Sequence, residues 1–158
     1  ADPTCPDLSA VLSRAARKAG ATTHNGGTYI CMEGPAFSTR AESHWYRSMG
    51  GSIIGMTNLT EAKLAREAEI CYGVIARSTD YDCWHETHED VSVEAILAII
   101  HQNVTMAKQI IRNAVLELQA ERSCGCGSAL QYAIITDRSR IPAETVAKLG
   151  PVVSKYLH

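Results

Sequence analysis

A chain of 158 residues that is 46% hydrophobic and 20% charged can bury a core, which excludes a disordered polypeptide and favours one globular domain. The formal net charge is −2 and no run of Lys or Arg occurs, so we expect no nucleic-acid polymer as a partner. No apolar run is long enough to span a bilayer and no leader-like segment opens the sequence, so we expect a soluble, cytoplasmic protein without a membrane partner.

The first predicted elements are a helix and a strand. Apolar residues recur at helical spacing from Leu8 until Gly20, which indicates an amphipathic helix. Apolar and other residues then alternate around Ile30, as in a strand, until Gly34-Pro35. Because proline cannot continue a sheet ladder, the strand is predicted to run into a loop there.

The same order of elements then repeats. Thr39 and Glu42 have the spacing of a capping box and predict a second helix, which ends before the next pair of glycines. An apolar strand at 52–57, a helix at 61–69 and a further strand rich in β-formers at 70–79 follow.

Strands that alternate with helices predict the α/β class, with a mixed central sheet flanked by helices. Crossover helices make successive strands parallel, and ligands of such folds bind outside the carboxyl ends of the strands. Three loops are predicted to meet at that edge, and we call them the carboxyl-end loops: residues 34–37, 55–58 and 79–82.

The remaining chain is predicted to be helical. Ser92 can cap a long helix with one apolar stripe, which starts at Val93. Ser128 and Gln131 have the spacing of another capping box, and Pro142 and Gly150 frame a short final helix.

The cysteine and histidine spacings do not predict a metal site. A domain of this size does not need disulfides, so reduced thiols are expected. Cys124 and Cys126 have C-x-C spacing, which is shorter than common zinc and redox motifs, and no second ligand pair of matching spacing lies nearby. His85 and His88 are three residues apart, whereas the zinc-protease helix needs four, so residues 84–89 are predicted to be a solvated loop.

Two acids follow the strand predicted at 70–79. Asp80 and Asp82 are two residues apart and would point the same way if the strand persisted. Two carboxylates that face one space repel, so one of them can hold a proton at neutral pH and act as a donor. The competing interpretation is that both acids cap the end of a strand.

Three segments carry a specific resemblance: MEGPAFSTRAES, GMTNLTEAKLAREAEICY and STDYDCW. In this order and at these separations they resemble the carboxyl-terminal part of the 5′-methylthioadenosine phosphorylases, in the purine nucleoside phosphorylase superfamily. The resemblance implies a phosphorylase/hydrolase-like fold and a pentosyltransferase of purine and methionine salvage. The implied reaction converts methylthioadenosine and phosphate to adenine and 5-methylthioribose 1-phosphate, with phosphate as co-substrate and no cofactor.

The resemblance also implies roles for individual residues. Asp80 would protonate purine N7, and Asp82 would help to recognise the 6-amino group. Phe37 would pack against the base, with Ser38 a weaker candidate beside it. Further contacts with the ribose, the phosphate and the methylthio group are implied for Gly55, Met56, Thr57, Val93, Ile96 and Leu97.

The cysteines enter the resemblance as well. The segment CGC followed by SALQYAIIT resembles the tail of prokaryotic members, some of whose thermophilic relatives carry C-x-C. This leaves open a bridge or redox role for Cys124 and Cys126, and a bridge between Cys5 and Cys71.

Family members have roughly 250 to 300 residues, within the range of single α/β domains. Their Gly-rich phosphate loop and Arg-His pair lie upstream, and neither GGSG nor RHG occurs here. Residues 1–158 are therefore predicted to be the carboxyl-terminal portion of a single nucleoside phosphorylase domain, incomplete without further polypeptide or a second chain. The resemblance implies a homotrimer.

Two alternatives stay open. One is a 6-oxopurine or methylthioinosine phosphorylase, although paired acids favour a 6-amino substrate. The other is a nucleoside-binding or assembly fragment without turnover, which the missing phosphate loop makes physically reasonable.

Overall fold

A computed structural model describes residues 2–85 and 93–157 of the chain, without the side chains of residues 93–96. The helices and strands, in chain order, are α1 (Pro6–Lys18), β1 (Thr28–Cys31), α2 (Arg40–Ser48), β2 (Gly51–Gly55), α3 (Asn58–Glu67), α4 (Val93–Glu117) and α5 (Ala143–Val153). Short 3₁₀ helices lie at Gly125–Ser128, Arg138–Arg140 and Ser154–Tyr156. No helix within the described ranges is long and apolar enough to cross a membrane.

The two strands form a parallel pair, as the alternation of strands and helices predicts. Tyr29 is aligned with Ile53 and Ile30 with Ile54, and α2 makes the crossover between the strands. The capping box that starts α2 is present, because the Thr39 hydroxyl accepts from the backbone N–H of Glu42 and the Glu42 carboxylate accepts from the N–H of Thr39. The α/β class is confirmed, with a two-stranded parallel sheet in the described residues.

The strand predicted at 70–79 is wrong, because these residues have no regular secondary structure. They lie against α1 instead: a Cβ atom on Gly73 would approach the side chains of Leu8 and Leu12 to within 3 Å, at 2.9 Å and 2.8 Å. The N–H of Cys5 donates to the carbonyl of Tyr72 at 2.7 Å. The β-forming residues here reflect a half-buried surface, which is what β-propensity measures, and not a hydrogen-bonded ladder.

The core lies between α1 and α4. Ala15 and Ala16 of α1 are buried against Ile110 and Ala114 of α4. Alanines let the two helices approach closely, so Ile110, which is 1% exposed, fills the space between them. At the edge of this contact Arg14 forms an ion pair with Glu117 at 3.1 Å, which adds little because both side chains reach solvent.

Glu69 connects the carboxyl-terminal region to the end of α3. Its carboxylate accepts from the ammonium of Lys155 at 2.9 Å, from the N–H of Leu130 at 3.1 Å and from the hydroxyl of Tyr156. Its backbone carbonyl accepts from the guanidinium of Arg122 at 3.0 Å. These contacts hold the chain on either side of the Gly125–Ser128 3₁₀ helix beside the chain that follows α3.

Two predictions for the carboxyl-terminal part are wrong. The capping box predicted at Ser128 does not start a helix, since the Ser128 hydroxyl donates to the Gly125 carbonyl within a 3₁₀ turn and residues 129–133 form turns. The final helix does not stop at Gly150, because α5 continues through Pro151 to Val153. The spacing of capping residues in the sequence does not by itself determine where a helix begins or ends, because packing against the rest of the chain also contributes.

Candidate active site

The first two carboxyl-end loops lie side by side. Gly34 has φ +71°, a conformation that favours glycine, and a Cβ atom there would lie 3.2 Å from Sδ of Met56. The parallel pairing of β1 and β2 brings both loops to one end of the sheet. Met56 therefore lies directly against the loop that carries Phe37 and Ser38.

Asp82 joins the third carboxyl-end loop to the first loop and to α2. Its carboxylate accepts from the Ser43 hydroxyl at 2.6 Å and from the Ser38 hydroxyl at 3.2 Å. It also accepts from the backbone N–H of Cys83 at 2.9 Å. Because Ser43 is 1% exposed, the hydrogen bond from α2 is shielded from water and fixes the position of the carboxylate.

The hydrogen bonds to Asp82 also set its charge. Burial alone would raise the pKa of Asp82, but the donors Ser43, the N–H of Cys83 and Ser38 favour the ionised form. The net pKa of Asp82 lies below its usual value. Asp82 is therefore an anion at neutral pH and serves only as a hydrogen-bond acceptor.

Replacing Ser43 by alanine should destabilise the protein by about 1–2 kcal/mol at neutral pH, because the ionised Asp82 then loses its shortest hydrogen bond. The folded-state pKa is lowered, so this stabilisation is present above the ordinary value of 3.8 and is lost as the pH falls below it. Urea unfolding at neutral pH and at about pH 3 measures the difference between the two proteins. Ser48→Ala is the control, since the Ser48 hydroxyl bonds only to its own helix at Trp45 in the described hydrogen bonds. A difference that does not shrink at low pH would contradict this account.

Asp80 has different surroundings from Asp82. It is exposed, and its carboxylate accepts from the hydroxyl of the preceding Thr79 at 2.5 Å. The expectation that both acids end a buried strand is therefore wrong: the preceding residues form no strand, and only Asp82 is held by α2. The catalytic roles of Asp80 and Asp82 stay predictions.

The other predicted residues of the first two loops differ in environment. Phe37 is 85% exposed, so its ring is available to a flat ligand. A Cβ atom on Gly55 would lie 1.9 Å from the hydroxyl oxygen of Tyr29, so a side chain at this position would displace the tyrosine ring. Thr57 occupies the cap position of α3, but its side chain makes no capping hydrogen bond, so the helix does not use its hydroxyl.

A cleft of about 400 Å³ opens beside Thr57. It lies between residues 72–78 on one side and β2 with the start of α3 on the other. The Tyr72 hydroxyl oxygen lies 2.9 Å from a Glu61 carboxylate oxygen across the cleft. Burial and Glu61 raise the pKa of Tyr72 to about 12, so Tyr72 stays a neutral donor.

An aromatic cluster that the sequence did not predict is formed by Tyr81, Trp84 and His85. The guanidinium of Arg47 on α2 lies 3.5 Å from the ring centre of Trp84, which is a cation–π contact. Tyr81 stacks on His85 with ring centres 4.5 Å apart. Trp84, the first residue of the predicted solvated loop, therefore packs on α2, and His88 lies outside the described residues.

The predicted methylthio contacts lie at the start of α4. Leu97 is 50% exposed. The side chains of Val93 and Ile96, and Ser92 as the predicted cap, lie outside the described residues. Their contact with a ligand stays a prediction.

The family is decided by comparison with known proteins. The sequence profile of the phosphorylase superfamily matches residues 1–116, which include all of the carboxyl-end loops. The chain belongs to the phosphorylase superfamily. This confirms the family that the three sequence segments predict.

Known members of the phosphorylase superfamily match nearly the whole chain. S-methyl-5′-thioadenosine phosphorylase of Geobacter sulfurreducens is 70% identical over 157 residues, which cover 99% of this chain and 55% of that protein. A methylthioadenosine phosphorylase from an antarctic soil metagenomic library has a similar structure, with a TM-score of 0.85, 42% identity, and coverage of 96% of this chain and 54% of that one. A methylthioadenosine phosphorylase from Schistosoma mansoni in complex with adenine is also similar in structure, with a TM-score of 0.68 and 29% identity. The match covers 85% of this chain and 53% of that one. This superfamily member thus spans about half the length of the relatives it matches.

Proposed function

We propose that the protein to which this chain contributes catalyses the phosphorolysis of 5′-methylthioadenosine, giving adenine and 5-methylthioribose 1-phosphate. The observation that carries the proposal is the 70% identity to a methylthioadenosine phosphorylase over 99% of this chain, carboxyl-end loops included. The chain supplies the base, ribose and methylthio pockets, while the rest of the polypeptide or a second chain supplies the phosphate loop.

The reaction needs help at the base. A phosphate oxygen forms a bond to C1′ while the bond from C1′ to N9 of adenine breaks, and the electron pair stays on the purine. A proton delivered to N7 neutralises that charge, which makes adenine a better leaving group. Asp80 is the proposed donor of this proton, and the bound nucleoside would cover its exposed side chain.

Asp82 is proposed to recognise the base rather than to move a proton. An ionised carboxylate accepts hydrogen bonds, and the 6-amino group of adenine donates them. The lowered pKa of Asp82 and its bonds to Ser38 and Ser43 support this role, because they keep the acceptor charged and fixed. A 6-oxopurine would place an oxygen lone pair against the same carboxylate, which argues against the methylthioinosine alternative.

The remaining pocket follows from the exposed and apolar side chains at the loops. Phe37 would stack on the base, Met56 would line the ribose, and the Thr57 hydroxyl would reach phosphate or sugar. The apolar start of α4, with Leu97 half exposed, would cover the methylthio group. Phosphate acts as co-substrate without a cofactor, and a cytoplasmic homotrimer is proposed for the assembled enzyme.

A chimera tests this proposal. This chain replaces the aligned stretch of the Geobacter sulfurreducens relative. Release of the free base is then measured with two substrates, as adenine from methylthioadenosine and as hypoxanthine from methylthioinosine. We expect release of adenine, and a kcat/KM at least about 100-fold lower for the 6-oxo substrate, since it leaves the Asp82 acceptor unpaired. Nucleoside binding without turnover would instead support the non-catalytic fragment, and equal rates on both substrates would contradict the role of Asp82.

A further inference from the structure

A group of four cysteines lies apart from the carboxyl-end loops. The four-cysteine cluster consists of Cys5, Cys71, Cys124 and Cys126. Their Sγ atoms all lie within 4.8 Å of one another, although the residues come from three distant parts of the sequence. The Sγ atoms of Cys71 and Cys124 are 3.3 Å apart, and all four side chains are free thiols.

The spacing of the four sulfur atoms fits a metal-binding tetrahedron. Zinc binds thiolate sulfur at about 2.3 Å, which places the sulfurs of a tetrahedral site about 3.8 Å apart. The cluster therefore has the ligand number, the ligand type and the dimensions of a structural Cys₄ site. Four thiolates and no oxygen ligand favour soft or borderline cations such as Zn²⁺ over Mg²⁺ or Ca²⁺.

Two of the four cysteines are closed off from solvent, and one of these caps a helix. Cys5 occupies the cap position of α1, and its Sγ accepts from the N–H of Leu8 at 3.5 Å. Cys124 precedes the 3₁₀ helix that contains Cys126, but its side chain makes no capping hydrogen bond there. Cys5 is 1% exposed and Cys126 is 8% exposed. Four protein ligands with this burial leave no open position, so the site would be structural and not catalytic.

A cation lies close enough to offset part of the negative charge of the thiolates. The guanidinium of Arg122 interacts with the Cys71 thiol. It also lies against Gly127, since a Cβ atom added to that glycine would be 3.0 Å from the guanidinium. The same side chain donates to the carbonyl of Glu69. Arg122 is thus held between the chain after α3 and the 3₁₀ helix, beside the cluster.

We propose that the four-cysteine cluster binds one Zn²⁺ ion in a tetrahedral structural site. The ion would tie the start of α1 to the chain after α3 and to the 3₁₀ helix at Gly125–Ser128. Cys71 is followed directly by the segment that leads to Asp80 and Asp82, so the metal would anchor one end of that segment. The thiols give up their protons as the ion binds, which makes the affinity depend on pH.

The sequence alone did not predict this site. The C-x-C pair has no matching ligand pair nearby in the sequence, so no zinc site was expected. The other two ligands are the residue that caps α1 and a residue in the chain after α3, and only the folded chain brings them to Cys124 and Cys126.

Metal content tests the proposal directly. The 158-residue chain is purified under anaerobic, reducing conditions, and its zinc content is measured by inductively coupled plasma mass spectrometry. We expect one zinc per chain. Co²⁺ substituted for zinc should give the thiolate-to-cobalt charge-transfer bands and the visible bands of a tetrahedral site, which report sulfur ligation without any activity assay.

Matched variants identify the ligands. Removing a group that only orients a metal ligand lowers the metal affinity by about 10- to 100-fold. Cys124 and Cys126 would bind the ion directly, so Cys124→Ser and Cys126→Ser should lower the zinc affinity at least as much. Cys31→Ser and Cys83→Ser should leave one zinc per chain, because these two cysteines lie outside the cluster. If a ligand variant fails to fold, the cobalt spectrum of the unaltered chain still decides the question.

Two results would overturn the proposal. The first is a folded, reduced chain that takes up no stoichiometric zinc and shows no thiolate-to-cobalt band. The second is peptide mapping of protein purified anaerobically without reductant, with free thiols alkylated at once, that finds Cys124 joined to Cys126 or Cys5 joined to Cys71. Either result is independent of whether the assembled protein acts on methylthioadenosine.

Discussion

Asp80→Asn is expected to lower kcat for methylthioadenosine phosphorolysis by about 10²- to 10⁴-fold in the chimera with the Geobacter sulfurreducens relative, because the amide cannot supply the proton for N7. The nucleoside would still bind, since the base contacts proposed for Phe37 and Asp82 remain. KM should therefore change much less than kcat. Steady-state rates of adenine release over a range of substrate concentrations separate the two parameters.

The control for this prediction is another exposed carboxylate. Asp137 accepts hydrogen bonds from Ser139 in its own turn, and Asp137→Asn should leave kcat unchanged. An Asp80→Asn enzyme with the kcat of the parent would refute Asp80 as the general acid. A loss of activity caused by unfolding is recognised from the urea unfolding curve of the variant.

Ile110→Ala is expected to cost about 2–5 kcal/mol of unfolding free energy. Ile110 is 1% exposed and packs against the buried alanines of α1, so its truncation leaves a cavity between α1 and α4. Small domains are stable by only about 5–15 kcal/mol, so this loss is a large fraction of the total. Urea unfolding of the chain measures the change.

The adjacent residue provides a matched control. Ile111 has the same side chain on the same helix but is 53% exposed, so Ile111→Ala should cost no more than about 1 kcal/mol. Equal losses for the two variants would mean that the contact between α1 and α4 is not the core of this chain. A larger loss for Ile111 would point to burial of its exposed face in an assembly.

Elements set by local chemistry were predicted well from the sequence. The capping box of Thr39 and Glu42 places the start of α2 correctly, because both partners belong to the same helical turn. The parallel pair of β1 and β2 follows from the strand, helix and strand order. The strand expected at 70–79 failed because a ladder needs a neighbouring strand, and the described chain places a cleft and α1 there instead.

The candidate site was predicted in part. The resemblance brought Ser38 and Asp82 to one pocket, and the structure joins them by a hydrogen bond. The buried partner Ser43 was missed, because one serine inside a helix has no distinguishing sequence pattern. The four-cysteine cluster was missed for a related reason, since tertiary packing brings together ligands that lie far apart along the chain.

The identity of the sugar product tests the central claim most directly. The chimera is incubated with methylthioadenosine and phosphate, and the sugar is identified by mass spectrometry, with a phosphate-free reaction in parallel. The account predicts 5-methylthioribose 1-phosphate, formed together with adenine and only when phosphate is present. Free 5-methylthioribose at the same rate without phosphate would show hydrolysis and would contradict the account.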